Sequence, residues 1–373
     1  MGKEYLKKKV NGLLAIAGIE INGNNPSDIQ VHNDLFYEKI LAKGSLGLGE
    51  SYVDGWWDSE NVDGFIYKIL SSKLDEKVRP DFRTIFQVLL AKLFNNQTKA
   101  RAATSAQKHY DMGNDLFAAM LDKRLTYTCG YWKNAGNLDQ AQENKFDLVC
   151  RKLNLQPGQK ILDIGCGWGS FIKFAAEKYN VSCVGVTVSN EQVKLGLELC
   201  KGLPVEIKLL DYRNLAGSYD HVVSLGMFEH VSFKNYRKFM EVAHRCLKDE
   251  GLFLLHSIGG NFSVRATDPW INKYVFPNSM LPSIKQIGSA IERKFVMEDW
   301  HNFGAYYDKT LMAWYHNLNS HWDSLKNNYT ERFHRLYNYY LLSCAGSFRA
   351  RKNQLWQIVL SKNGVRGGYH SIR

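Results

Sequence analysis

A chain of 373 residues, 45% hydrophobic and 23% charged, buries enough apolar surface to offset chain entropy, which excludes disorder as its main state. No apolar run approaches the ~18 residues of a spanning helix, and the length suits two or three domain units. The formal charge of +11 is uneven: residues 1–100 carry 13 basic and 13 acidic side chains, whereas 326–373 carry nine basic ones against Glu331 alone. Such a basic end is drawn to phosphate, in nucleic acid or at an anionic membrane, and composition does not choose between them. The seven cysteines include no two closer than 16 positions, so there is no C-x-x-C pair, no metal site is expected, and a reducing, cytoplasmic setting is the expectation. Near the N-terminus the apolar run 13–19 is short and stops at Glu20, which reads as an amphipathic helix rather than a signal peptide.

Residues 1–91 read as a small helical domain. Val62, Phe65, Ile66, Ile69 and Leu70 keep helical spacing, and Phe82, Ile85, Phe86, Leu89, Leu90, Leu93 and Phe94 repeat it after Pro80. Either stripe suits a bundle core or a lipid surface. Residues 44–58 are glycine-rich, but no lysine follows at the spacing of a phosphate loop. Residues 92–111 lose the apolar period and turn basic, which marks a linker, and 112–373 form the remaining domain. From residue 160 onward, β-branched runs at 160–164, 181–187, 205–210, 221–225 and 252–256 alternate with helical segments, the pattern of a parallel sheet with helices on both faces.

The first of those strands runs into Asp163-Ile-Gly-Cys-Gly-Trp-Gly169, with glycines at 165, 167 and 169 where the chain turns into a helix. Glycine there permits a tight turn and close approach of a ligand at the carboxyl edge of the sheet. The loop resembles motif I of class I methyltransferases, and the resemblance implies S-adenosylmethionine as cofactor, with Asp163, Gly165, Cys166, Gly167 and Gly169 against it. The second strand ends without the acidic residue usual in that superfamily, so Thr187 and Gln192 are left to meet the ribose. Asp211, Tyr212 and Arg213 follow the third strand at the position that flanks adenine; a plain helix cap is the lesser alternative for Asp211.

Other segments carry a narrower likeness: residues 44–58, 109–117 (HYDMGNDLF), 127–132 (YTCGYW), 227–231 (MFEHV), 268–277, 301–311 and 344–349. On these the chain resembles the cyclopropane-fatty-acyl-phospholipid synthases over nearly its full length, with the mycolic-acid cyclopropane synthases as one-domain kin. The resemblance implies an α/β fold, a Rossmann-like methyltransferase domain on a mostly parallel seven-stranded sheet with a small helical N-terminal domain. It implies methylene transfer to the cis double bond of phospholipid acyl chains, by methyl transfer, carbocation formation and deprotonation by a bound bicarbonate ion. The matching positions for that ion are Cys129, Glu229, His256, Ile258 through its backbone, and Tyr307, while Tyr127 and Thr128 join the cofactor set. Holding an anion beside Glu229 requires either a protonated His256 or the bicarbonate proton donated to Glu229; Glu229 orienting His256 is a further alternative. A homodimer, peripheral attachment to the inner face of the cytoplasmic membrane with anionic lipids favoured, and no nucleic-acid partner complete the expectation.

Overall fold

In this computed structural model, residues 3–74 and 113–373 are described. The chain divides into two compact units, and neither is continuous in sequence. Among the described residues the first unit holds 3–74, 265–277 and 307–353, and the second holds 113–264, 278–306 and 354–373. Segments 265–277 and 307–353, which a linear division gives to the 112–373 domain, thus cluster with the N-terminal helices. The linker at 92–111 and the stripe from Phe82 to Phe94 lie outside the described residues.

In the first unit an aromatic core explains that clustering. Trp57 packs on Phe65 at 5.1 Å and Tyr52 on Tyr339 at 5.3 Å, while Trp270 meets the same Tyr339 at 4.7 Å. Val62, Phe65 and Ile66 are buried, so this stripe serves the bundle's own core. The glycine-rich segment is the helix Ser45–Val53; Gly49 lies where a side chain would collide with Trp270, so glycine here permits packing rather than phosphate binding. The helix Lys3–Ile16 buries Val10 and Leu14. Ion pairs Arg335–Asp58 (2.8 Å) and Arg349–Asp63 (2.7 Å) tie the long helix Glu331–Arg349 to the N-terminal segment.

The second unit is built on a seven-stranded sheet. Its strands are β3 (Lys160–Ile164), β4 (Ser182–Thr187), β5 (Val205–Leu209), β6 (His221–Leu225), β7 (Leu252–Gly260), β8 (Val296–Asn302) and β9 (Asn353–Ser361), in the order β5-β4-β3-β6-β7-β9-β8. A two-stranded ribbon of β1 (Gln30–Val31) and β2 (Trp57–Asp58) belongs to the first unit. Strands β3 to β7 pair in parallel, and β8 with β9 antiparallel. Strand period 2 sorts the side chains onto two faces. Leu162, Ile164, Val184, Val186, Val222, Phe253 and Leu255 enter one core with the helix Tyr236–Cys246, whereas Ile161, Cys183, Val223 and Leu254 enter another with the helices Leu138–Lys152 and Ser170–Tyr179. Burial on both faces is why these strands read as continuous apolar runs. The chain reverses its direction of travel across the sheet between β3 and β6, and ligands bind at the carboxyl ends beside such a switch point.

Candidate active site

The cofactor loop leaves β3 at that switch point. Gly165, Gly167 and Gly169 have φ of +90°, +56° and +85°, the left-handed region that side chains disfavour. The N–H groups of Gly165 and Cys166 both donate to the Val186 carbonyl at 3.0 Å, which turns the loop over β4. A Cβ on Gly167 would meet no atom within 4 Å, so the loop's backbone faces open space. Below it, Asp163 is buried with Oδ1 lacking a hydrogen-bond partner, and burial raises its carboxyl to about 7 against the opposing field of Lys145. An open backbone cradle and an orphaned carboxyl oxygen fit a polar, cationic cofactor such as S-adenosylmethionine.

The remaining cofactor candidates line the same edge. Thr187 ends β4, and its hydroxyl donates to Gln192 Oε1 at 2.5 Å; both side chains are buried, and Ser189 between them caps the helix Asn190–Leu199. Asp211 does cap: its Oδ1 accepts from the Arg213 N–H at 2.9 Å, and the Arg213 guanidinium grips both its oxygens at 2.8 and 2.6 Å. Tyr212 beside them is buried. Tyr127 and Phe117 are in edge contact at 5.3 Å, with Phe117 against Trp168 of the cofactor loop at 5.1 Å, and Ser170 Oγ donates to the Leu125 carbonyl. These contacts bring the 125–131 segment to the loop.

Glu229 and His256 come from neighbouring strands. Glu229 lies in the turn Phe228–His230 after β6 and His256 within β7. Glu229 Oε1 accepts from the Ile258 N–H at 2.6 Å, while its Oε2 is buried with no partner; burial lifts this carboxyl to about 7. The Ile258 N–H is therefore engaged in bracing Glu229, and its carbonyl accepts from Ser257 Oγ at 2.9 Å. His256 is fully buried. Its Nδ1 faces the Gln357 amide nitrogen at 3.4 Å and its Nε2 has no partner. An amide donor at Nδ1 selects the tautomer with the proton on Nε2. Burial, then the fields of Lys145 and Lys152, hold His256 well below its ordinary pKa. The imidazole is neutral, so of the two routes left open for holding an anion, protonation of His256 is disfavoured by its own surroundings. Glu229 braces on Ile258 rather than on His256.

Cys129 is buried, with Sγ 3.3 Å from the Gly130 carbonyl. Its neighbour Thr128 packs under Gly226, where a Cβ would come within 2.5 Å of the threonine methyl, and the Gly226 N–H donates to the His256 carbonyl. Tyr307 belongs to the other unit, where its ring packs on Phe348 at 4.5 Å and Trp314 at 6.0 Å. Four polar residues not singled out from the sequence surround this centre: Gln142, Lys145, Lys152 and Gln357, all fully buried. The two lysines had a legible signal, since they occupy the inward stripe of their helix with Leu138, Ala141 and Leu148. Among the described residues no acidic, histidine or cysteine cluster forms a metal site, and none of the seven cysteines is in a disulfide.

A family model described as mycolic acid cyclopropane synthetase matches residues 97–358. The chain is 52% identical to the cyclopropane-fatty-acyl-phospholipid synthase of Escherichia coli K12, covering 97% of this chain and 95% of that protein. It is 34% identical to a probable fatty acid methyltransferase of Pseudomonas putida, covering 87% and 84%. Among solved structures, mycolic acid cyclopropane synthase CmaA1 in complex with SAH and CTAB superposes with a TM-score of 0.65 at 31% identity, covering 70% of this chain and 98% of that one.

Proposed function

Since this chain belongs to the mycolic acid cyclopropane synthetase family of class I methyltransferases, we propose that it converts the cis double bond of unsaturated acyl chains in membrane phospholipids into a cyclopropane ring. The observation that carries this reading is the pair of orphaned atoms, Glu229 Oε2 in the turn after β6 and His256 Nε2 on the adjacent β7, both buried. Buried polar atoms without partners are rare and point to a ligand.

When bound, S-adenosylmethionine supplies an electrophilic methyl group, and bicarbonate supplies a base for a proton of the added carbon. The chain's own residues do the rest. The glycine loop and Asp163 hold the cofactor, joined by Tyr127, Thr128, Cys166, Thr187, Gln192, Asp211, Tyr212 and Arg213. Neutral His256 donates from Nε2, and Glu229, protonated up to about pH 7, donates from its free oxygen, so both suit an anion that accepts hydrogen bonds. Cys129 and the Ile258 backbone complete the proposed pocket within this unit. Alkenes are poor nucleophiles, so a dry, fixed approach is what the protein must provide. Tyr131, Phe303 and Tyr306 supply it, with ring centroids 5.3 and 5.5 Å from Tyr131 and Phe303 5.9 Å from His256. Their π faces also favour a passing carbocation.

The bilayer is the proposed partner, reached by peripheral attachment at the inner face of the cytoplasmic membrane. No described helix is long and apolar enough to cross a membrane. Phe262 (68% exposed) and Ile284 (60%) stand out beside Val264 just past β7, joined by Ser263 Oγ to Ser283 Oγ at 2.7 Å, with exposed Lys285 next to them. The chain leading to Ser283 of this lip is tied to the site, because the Met280 N–H donates to the Glu229 carbonyl. The basic end contributes less free charge than its composition suggests: Lys326, Arg332, Arg335, Arg349, Lys362 and Arg373 are all paired with aspartates of this chain. Mass spectrometry of membrane lipids after expression tests the reading. A gain of one CH2 with loss of the alkene supports ring formation; a gain of CH2 with the alkene retained, or a saturated methyl branch, assigns the chain to methyl-branched acyl products instead.

A further inference from the structure

The helix Leu138–Lys152 turns two lysines inward, seven residues apart and so on one face. Lys145 Nζ donates to Thr128 Oγ1 at 2.8 Å and to Gln142 Oε1 at 2.7 Å, and Gln142 Nε2 donates in turn to the Thr128 carbonyl at 2.7 Å. The next residue is Cys129. Lys152 Nζ lies 3.1 Å from His301 Nδ1 and 3.8 Å from Asp299 Oδ2. The His301 ring packs on Phe303 at 4.9 Å, and Phe303 on His256. By these two routes both lysines reach the surroundings of His256, whose imidazole feels the field of each.

Burying an ammonium group is costly, and a helix needing only packing at these positions would carry methionine or leucine. The anion pocket has the opposite deficiency. Glu229 and His256 offer hydrogen bonds but no positive charge, and an anion in a dry site without a countercharge is poorly held. We propose that Lys145 and Lys152 are positioning residues whose positive potential retains bicarbonate against His256 and Glu229, an inference that rests on the bicarbonate reading above. The groups facing Lys145 are Asp122, Cys129 and Asp163, and those facing Lys152 are Asp299, His301, Arg151 and Arg373. Burial lowers both lysines to about 7, against the attraction of these aspartates. Part of each population is neutral at pH 7 in the free site, and an arriving anion favours the charged form.

Lys152→Met is the cleaner variant, because Arg373 already pairs with Asp299 at 2.6 and 2.7 Å and no carboxylate is left unpaired. Methionine fills the same space without the buried charge, so folding is retained; Lys152→Gln is the second variant should the first misfold. The full chain is assayed on unsaturated phospholipid vesicles in carbon-dioxide-depleted buffer with bicarbonate added back. The bicarbonate concentration giving half-maximal turnover is expected to rise about tenfold in either variant, the effect of losing one screened charge, with cofactor affinity by calorimetry unchanged. The His256 pKa, followed by NMR of 13C-labelled histidine, is expected to rise. Wild-type turnover that depends on bicarbonate while the variants show the wild-type half-saturation overturns the role of the lysines alone. Wild type that neither binds nor needs bicarbonate overturns the pocket reading itself. Equal loss of cofactor and bicarbonate affinity in both variants shows a general collapse of the site and also overturns the inference.

Discussion

Replacing Glu229 by glutamine separates two consequences of its burial. The carboxyl is moved from an ordinary 4.5 to about 7, chiefly by burial, which corresponds to about 3 kcal/mol of unfavourable ionisation in the folded state. The folded chain keeps a proton that the unfolded chain loses, so this cost is absent below pH 4.5, grows as pH rises to about 7, and stays in full above. Glutamine keeps the acceptor for the Ile258 N–H and never ionises. Glu229→Gln is expected to match wild type in urea denaturation at pH 4.5 and to exceed it by up to about 3 kcal/mol at pH 8. Turnover moves the other way, with a loss of ~10²-fold or more while S-adenosylmethionine affinity is kept, because the interaction acts on the reaction rather than on cofactor binding. A stability difference independent of pH would show that Glu229 is not held neutral, and near-normal turnover would remove it from support of the base.

Gly167→Val places a β-branched residue at φ +56° with its side chain directed into the open space before the loop. The chain is expected to fold, at a cost of about 1–2 kcal/mol, and to lose S-adenosylmethionine binding; unchanged calorimetric affinity would refute the cradle. Phe262→Ser with Ile284→Ser is expected to weaken flotation on unsaturated phospholipid vesicles at least tenfold, since each ring or chain withdrawn from lipid loses roughly 1.5–3 kcal/mol, with cofactor affinity intact. If light scattering instead shows that this double variant dissociates a dimer, the lip is a subunit contact. We further propose that the chain is a homodimer; light scattering of the wild type returning a single-chain mass refutes that.

The cofactor loop was legible because it needs local features only: a strand, three glycines and a helix start in one stretch. Glu229 was legible as a residue just past a strand at a predictable edge, whereas His256, read as ending its strand, lies within β7, which runs on to Gly260. Their ionisation was not legible, since it depends on burial and, for His256, also on Lys145 and Lys152, which arrive from a helix about a hundred residues upstream. Ile258 shows a similar limit, because which partner its backbone N–H takes is decided by a side chain from the turn after another strand. The stripe at Val62 to Leu70 was ambiguous by periodicity, which reports one apolar face but not what covers it. The unit boundaries were hidden for the same reason: Trp270 and Tyr339 join the N-terminal aromatics through contacts that no linear composition shift records.

The position of β9 bears on the order in which this molecule acquires its shape. It is the last strand in the sequence, yet it lies between β7 and β8 inside the sheet. As the chain emerges from the ribosome, β7 with its His256 waits through about a hundred further residues before its neighbour exists, and Gln357, the partner of His256 Nδ1, comes with that neighbour. Until then one edge of β7 is an unpaired template for other strands. Residues 307–353 emerge within that wait and belong to the first unit, so each unit is completed only after a piece of the other has been made. Nascent chains halted before residue 353 should therefore bind chaperones and aggregate, even with every glycine of the cofactor loop already in place.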